Sequence, residues 1–304
     1  MLAGGGHRAY DVRMLAEFLQ FLFSGLTVGA TYALAALGFT IVYNASNVIN
    51  FAQGEFLMLG GMLAVFLLEI GLPAWIALPA AILLVAAVGV AVERLAIRPA
   101  RDAEVVTLVI ITLGVSLVLR GAVQLWRGTA THALPAFSGD APIMVAGAAL
   151  APQSLWVIGV AAVAVALMWW FFERTRWGKA MLASASNRLA ARLVGIRIDV
   201  VLMLSFALAA ALGALGGIIV APITLTSFDV GVMLGLKGFV AAVLGGLGSG
   251  LGAVAGGLLL GVLEAMAAGY VSSSYKDAVP FVVILFLLMF LPRGMFGAQA
   301  PERV

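Results

Sequence analysis

Apolar runs long enough to cross a bilayer recur from one end of the chain to the other, and nothing else in the sequence restricts the fold as much. A spanning helix needs roughly 20 residues to traverse about 30 Å of hydrocarbon. Runs of about that length, several a little shorter, lie at 22–43, 51–69, 75–92, 105–126, 155–172, 200–221, 232–247, 251–270 and 279–291. They are continuous and lack the alternation of polar and apolar residues that a transmembrane barrel requires. Of the 304 residues 63% are hydrophobic and only 10% charged, outside the range of soluble domains. The expected fold is therefore an all-α polytopic membrane protein with about nine transmembrane helices and no soluble domain. Cysteine is absent, which removes disulfides and thiolate metal sites, and the net charge of +3 is too small to imply a nucleic-acid partner.

Where the charges fall sets the orientation. One connection carries Arg94, Arg98 and Arg101, and another carries Arg174, Arg176, Lys179, Arg188, Arg192 and Arg197. Basic residues mark cytoplasmic connections, and the two spans between these clusters are an even number, as a shared side requires. The polar connection 127–154, with His132 and Asp140, is then external, the N-terminus is external, and the C-terminus with Arg293 and Arg303 is internal. Arg8 and Arg13 on the outer side run against the same rule. His7, Arg8 and Arg13 precede an apolar run as in a secretory signal, but that run continues to Tyr43 and reads as an uncleaved first span. Met14 is an alternative start, which divides the chain into an extension 1–13, a membrane-spanning body 14–297 and a tail 298–304. The first four spans start outside and the last four, from Val200, start inside, the arrangement of an inverted repeat.

The basic connection 173–199 holds more than charge. Residues 179–194 are rich in Ala and closed by Gly195, which suits a left-handed helix C-cap, so one short amphipathic helix at the cytoplasmic surface is expected. A positive-inside anchor is the simpler reading, but an anchor needs charge and nothing more.

The stretch WGKAMLASASNRLAARLVGI resembles the cytoplasmic coupling loop of the permease subunits of branched-chain amino-acid ABC importers. The matching positions are Gly178, Lys179, Ala180, Ala183, Asn187, Ala191, Gly195 and Ile196, with Arg176 just before them. Lys179 stands where that family usually has Arg, which retains charge and loses planar bidentate bonding. Four further segments resemble the family in the same order: GLTVGATYALAALGFTIVY with INFAQGEFLMLGG, AIRPAR, LKGFVAAVLGGLGSGLGAVAGGLLLGVLE, and YKDAVPFVVILFLLMFLPRGMFG. Together they cover nearly all of the chain beyond Met14. The resemblance implies the larger-span importer permease fold in a bacterial inner membrane. It also implies three kinds of partner besides membrane lipid: a second homologous permease, two cytoplasmic ATPases that bind ATP and Mg, and an external solute-binding protein. No Walker A pattern occurs in this chain, so it is not expected to hydrolyse ATP.

Several residues are candidates for a pathway or gate. Asn50, Gln53, Gly54 and Glu55 open the second span, with Gln53 where the family often has His, so no group titrating near neutrality is placed there. Glu55 in a first helical turn complements the macrodipole, and this structural role is preferred over bracing a gate. Gly248, Gly250 and Gly252 permit close packing or a kink. GLGAVA formally matches a dinucleotide fingerprint but lacks its strand and acidic residue. Lys237 and Glu264 each lie about six residues from the outer end of consecutive spans and are expected to pair, or else Lys237 snorkels outward and Glu264 faces an aqueous pathway alone. His132 reads as a solvated loop residue, and the Met residues as filler. A urea or short-chain amide permease has similar motifs. An ion-coupled carrier leaves the coupling motif unexplained, and an intramembrane enzyme lacks a metal or nucleophile cluster.

Overall fold

The computed structural model describes residues 4–296 apart from 102, 140, 292 and 293, with side chains from Met14 onward. Arg293, Arg303 and the tail 298–304 lie outside the described residues. Eleven α-helices follow in order: α1 (Gly4–Ser46), α2 (Gln53–Glu69), α3 (Ala74–Val92), α4 (Val105–Arg127), α5 (Pro152–Arg174), α6 (Arg176–Ser186), α7 (Arg188–Leu193), α8 (Ile198–Thr224), α9 (Val230–Gly245), α10 (Gly250–Tyr270) and α11 (Val279–Phe290). Nine of these correspond to the nine apolar runs, and α6 and α7 occupy the basic connection. α1 is continuous from Gly4, so the backbone shows no break at Met14.

Seven helical segments are long and apolar enough to cross a membrane, α11 counted with the 3₁₀ turn Ser273–Ala278 that leads into it; α2 and α9, with 17 and 16 residues, are shorter than these. The packing explains why. The Gln53 Nε2 donates to the Ala209 carbonyl at 2.9 Å, and Ala209 is about 17 Å along α8 from its start at Ile198, at 1.5 Å per residue. The start of α2 is thus about halfway up the bundle, not at its cytoplasmic edge as the length of the run suggested. The start of α9 meets it there, with Gly231 and Gly235 against Gly54. From this junction α2 runs outward and α9 inward.

Each short helix is reached through a non-helical segment that turns back into the bundle. Asn47, with φ 57°, ends α1, and Leu225, with φ 62°, ends α8. Two of the three described non-glycine residues with positive φ thus occupy corresponding corners of the two halves, as an inverted repeat predicts. Irregular backbone at this depth requires internal partners. Between α1 and α2 they are supplied by Ser46 Oγ for the Val48 N–H, Thr112 Oγ1 for the Phe51 N–H and Asn50 Oδ1 for the Ala52 N–H.

Both basic connections face the same side, since Arg98 and Arg101 reach Asp199 at 3.0 and 3.4 Å. At the other end the connection 128–151 packs on the outer start of α1, where Gln20 Oε1 accepts from the Ala149 N–H. This connection adds what an all-α reading omitted, a small antiparallel hairpin of β1 (Ile143–Val145) and β2 (Ala148–Leu150). His132 is not simply solvated. Its backbone bridges Thr226 and its Nδ1 lies 3.4 Å from Arg127 Nη2, beside the Arg127–Glu69 ion pair.

Candidate functional site

Three arrangements of polar groups interrupt the apolar bundle. The first is the junction of α2 and α9. Asn50, Gln53 and Glu55 are all within 1% of full burial. Gln53 is held by Ala209, and Glu55 Oε1 accepts from Ser116 Oγ at 2.8 Å. Asn50 Nδ2, Gln53 Oε1 and Glu55 Oε2 have no hydrogen-bond partner among the described residues. Gly54 belongs here for a steric reason: an added Cβ would overlap the Gly231 carbonyl oxygen and stand 2.9 Å from the Gly235 Cα. Two helix N-termini, each the positive end of a macrodipole, converge on this buried carboxylate.

The second is the cytoplasmic loop. Thr175 joins α5 to α6, donating to the Phe171 carbonyl at 2.7 Å and accepting from the Gly178 N–H at 3.0 Å. Gly178 is pressed against α5, where an added Cβ would come within 2.6 Å of the Phe172 Cα. The single helix expected over 179–194 is two, because the Asn187 backbone is extended and its side chain caps α7 by accepting from the Ala190 N–H at 2.9 Å. At the far end Gly195, with φ 86°, closes a Schellman motif in which its N–H bonds Arg192 O and the Ile196 N–H bonds Ala191 O, both at 3.0 Å.

The motif positions divide between two faces. Arg176, Lys179, Ala183 and Asn187 are exposed, Ala180 and Ile196 are half-buried, and Gly178 and Ala191 are buried. Arg188 carried no individual expectation beyond its charge, yet its Nη2 donates to the Ala45 carbonyl at the inner end of α1. Burial, together with the neighbouring Arg192 charge, pulls its guanidinium pKa down from the ordinary value.

The third lies along α9, whose start at Val230 is already about midway up the bundle, so Lys237 is about 10 Å further inward and not near the outer end as the length of its run suggested. Lys237 Nζ sits 2.6 Å from Glu264 Oε1 and also 2.6 Å from Asp277 Oδ1. The Tyr32 hydroxyl donates to Glu264 Oε2 at 2.8 Å. Lys237 and Glu264 are buried, whereas Asp277, on a 3₁₀ turn (Ser273–Ala278) before α11, is half exposed. Tyr32 and Asp277 gave no sequence signal, being 232 and 13 residues from Glu264 with no shared periodicity.

The family model described as branched-chain amino acid transport system / permease component matches residues 21–288. The chain belongs to this branched-chain amino acid transport permease family. This permease is 36% identical to the high-affinity branched-chain amino acid transport system permease protein LivH of Salmonella typhimurium, over 94% of its own length and 98% of the relative's. It is 34% identical to BraD of Pseudomonas aeruginosa, over 95% and 98% of the two chains. It is also 30% identical to the ribose import permease protein RbsC of Escherichia coli, over 88% and 84%. Among solved structures, PsaBC from Streptococcus pneumoniae in complex with Fab superposes with a TM-score of 0.51 at 15% identity, covering 92% of this chain and 97% of that one, a likeness of fold. The permease is thus a multi-pass protein of the bacterial inner membrane.

Within that fold, the glycines of the second expected gate segment have specific places. Gly248, with φ 96°, forms the turn between α9 and α10, and its carbonyl accepts from Asn44 Nδ2 at 3.0 Å. Ser249 caps α10 by accepting from the Gly252 N–H. Gly252 packs against the Gly245 backbone, and Gly250 opens α10. These residues make a turn and a close helix contact in place of a kink within a helix.

Proposed function

We propose that this permease is one of two membrane-spanning subunits of an ATP-driven importer, carrying branched-chain or related neutral amino acids inward. A solute-binding protein delivers substrate from outside. A second, homologous permease completes the pathway, and two cytoplasmic ATPases bind ATP and Mg and supply the work. The chain itself contributes no hydrolytic chemistry.

One observation supports the ATP-driven reading above the others. The guanidinium of Arg188, on the loop that resembles a coupling loop, holds the carbonyl of Ala45, from which the irregular segment 47–52 rises to the junction of α2 and α9. A push on α6 and α7 is therefore carried by a charge-assisted hydrogen bond to the base of a broken helix, and from there to Gln53, Gly54 and Glu55. An ion-coupled carrier has no use for this linkage. Exposed Lys179, Ala183 and Asn187 form the face offered to the ATPase. The small side chain of Ala183 allows close approach, and buried Gly178 and Ala191 fix the loop on the bundle.

The test is uptake of radiolabelled leucine into proteoliposomes that hold the assembled complex. Uptake is expected to require internal ATP and the binding protein, with competition by isoleucine and valine but not by urea or ribose. Arg188→Gln is expected to leave ATP hydrolysis in place and lower uptake about tenfold or more, the worth of a hydrogen bond from a charged donor. Uptake without the ATPases, or competition by urea alone, would overturn the assignment.

A further inference from the structure

A cavity of about 480 Å³ opens on the cytoplasmic side where the tail of α3, the end of α7 and the start of α8 come together. Among the described residues, four guanidinium groups line it, those of Arg98, Arg101, Arg192 and Arg197, with one carboxylate, that of Asp199. Arg98 and Arg101 engage that carboxylate at 3.0 and 3.4 Å, with all three side chains about half exposed. Among the described residues, no carboxylate is ion-paired with Arg192 or Arg197. Arg192 also stands close enough to Arg188 to lower that neighbour's pKa. The first turn of α8, a 27-residue helix, forms part of the wall and turns its positive end toward the same space. The cavity is therefore strongly anion-seeking, and Asp199 compensates only part of its charge.

Exposed aliphatic side chains flank its lining residues along the chain. Leu95, three residues before Arg98, is 80% exposed, and Leu193 and Val194, directly after Arg192, are 82% and 77% exposed. Arginines with exposed aliphatic neighbours, at the cytoplasmic ends of spanning helices, match a molecule with an anionic head and hydrocarbon tails. A free anion would use the guanidinium groups and leave these aliphatic side chains without a role.

We propose that this cavity binds the phosphodiester headgroup of an anionic phospholipid of the inner leaflet, with its acyl chains lying along Leu95, Leu193 and Val194. Arg192 and Arg197 provide the principal contacts to the phosphate, and Arg98 and Arg101 divide themselves between the lipid and Asp199. Because α7 and α8 both border the site, the bound lipid ties the end of the coupling loop to the bundle. Basic pockets between helix ends on this side of a membrane are suited to such headgroups.

The proposal is tested on the full chain purified in a zwitterionic detergent and titrated with short-chain phosphatidylglycerol, with phosphatidylcholine of the same chain length, and with inorganic phosphate. Binding is read by native mass spectrometry and by the melting temperature. Phosphatidylglycerol is expected to bind and raise the melting temperature, and phosphatidylcholine to do neither. Removing two charges that each contribute about fivefold near an anionic surface, Arg192→Gln with Arg197→Gln is expected to weaken phosphatidylglycerol about thirtyfold. Arg174→Gln, outside the cavity, is expected to bind as the parent does. Asp199→Asn gives the opposite sign: it breaks two ion pairs and yet should tighten phosphatidylglycerol severalfold, an outcome that general destabilisation does not produce.

Equal response to the two lipids would overturn the proposal, as would unchanged affinity in the double variant or weaker binding by Asp199→Asn. Protection by millimolar inorganic phosphate equal to that by phosphatidylglycerol would assign the site to a free anion. Normal lipid binding in a double variant that no longer retains its ATPase would assign it to protein docking. Either result defeats the lipid reading.

Discussion

The buried cluster around Lys237 makes a prediction that pairing with Glu264 alone does not. In Lys237→Met the long apolar stem is kept and the charge is lost, so two carboxylates are left facing one another. Asp277 is half exposed and recovers water, whereas Glu264 is buried and retains only the Tyr32 hydroxyl. Stranding one member of a buried pair typically costs about 3–5 kcal/mol, and at about 2–4 °C per kcal/mol this lowers the melting temperature by roughly 6–20 °C. Asp277→Asn removes a partner that solvent already screens, for a loss of about 1 kcal/mol or less. The exchange Lys237→Glu with Glu264→Lys would restore an isolated pair. Here it brings the carboxylate newly placed on α9 against Asp277, and the exchanged chain is expected to remain unstable until Asp277→Asn is added. Thermal unfolding of the detergent-solubilised chain, followed by loss of monodispersity, ranks these variants. If the simple exchange rescues fully, Asp277 is not a partner of Lys237 and the cluster reduces to a pair; if Asp277→Asn is as damaging as Lys237→Met, solvent does not screen Asp277 and the unequal weight given to the two carboxylates is wrong.

At the α2–α9 junction, Gly54→Ala places a methyl group against the Gly231 backbone and should cost at least about 1–3 kcal/mol with loss of uptake. Gly114→Ala, whose new Cβ meets nothing within 4 Å, should be neutral or slightly stabilising, and similar behaviour of the two in thermal melts would refute the steric argument. Ala183→Arg, on the exposed face of α6, should insert normally while substrate-stimulated hydrolysis in the complex falls; unchanged stimulation removes Ala183 from the ATPase contact. A chain beginning at Met14 should assemble and transport fully, and failure to assemble would make residues 1–13 structural.

Hydropathy and charge are properties of each residue, and what depends on them alone could be read before any coordinates. The nine apolar runs became nine helices, and Arg98, Arg101 and Asp199 meet on the side that the basic connections marked. The turn at Gly195 was legible as well, since a left-handed cap is a local demand that Gly meets. Asn187 carried its signal in principle, being a residue that caps helices, but the Ala-rich sequence around it favours helix on both sides and so hid the break between α6 and α7. The seating of α2 and α9 halfway up the bundle was not legible, because an apolar run has a length and no depth. Depth came from Gly54 meeting Gly231 and Gln53 reaching Ala209, contacts between residues far apart along the chain. The same holds for Tyr32 and Asp277 around Lys237 and for Arg188 on Ala45: each side chain is ordinary in its own sequence neighbourhood, and its partner is chosen only when the helices pack.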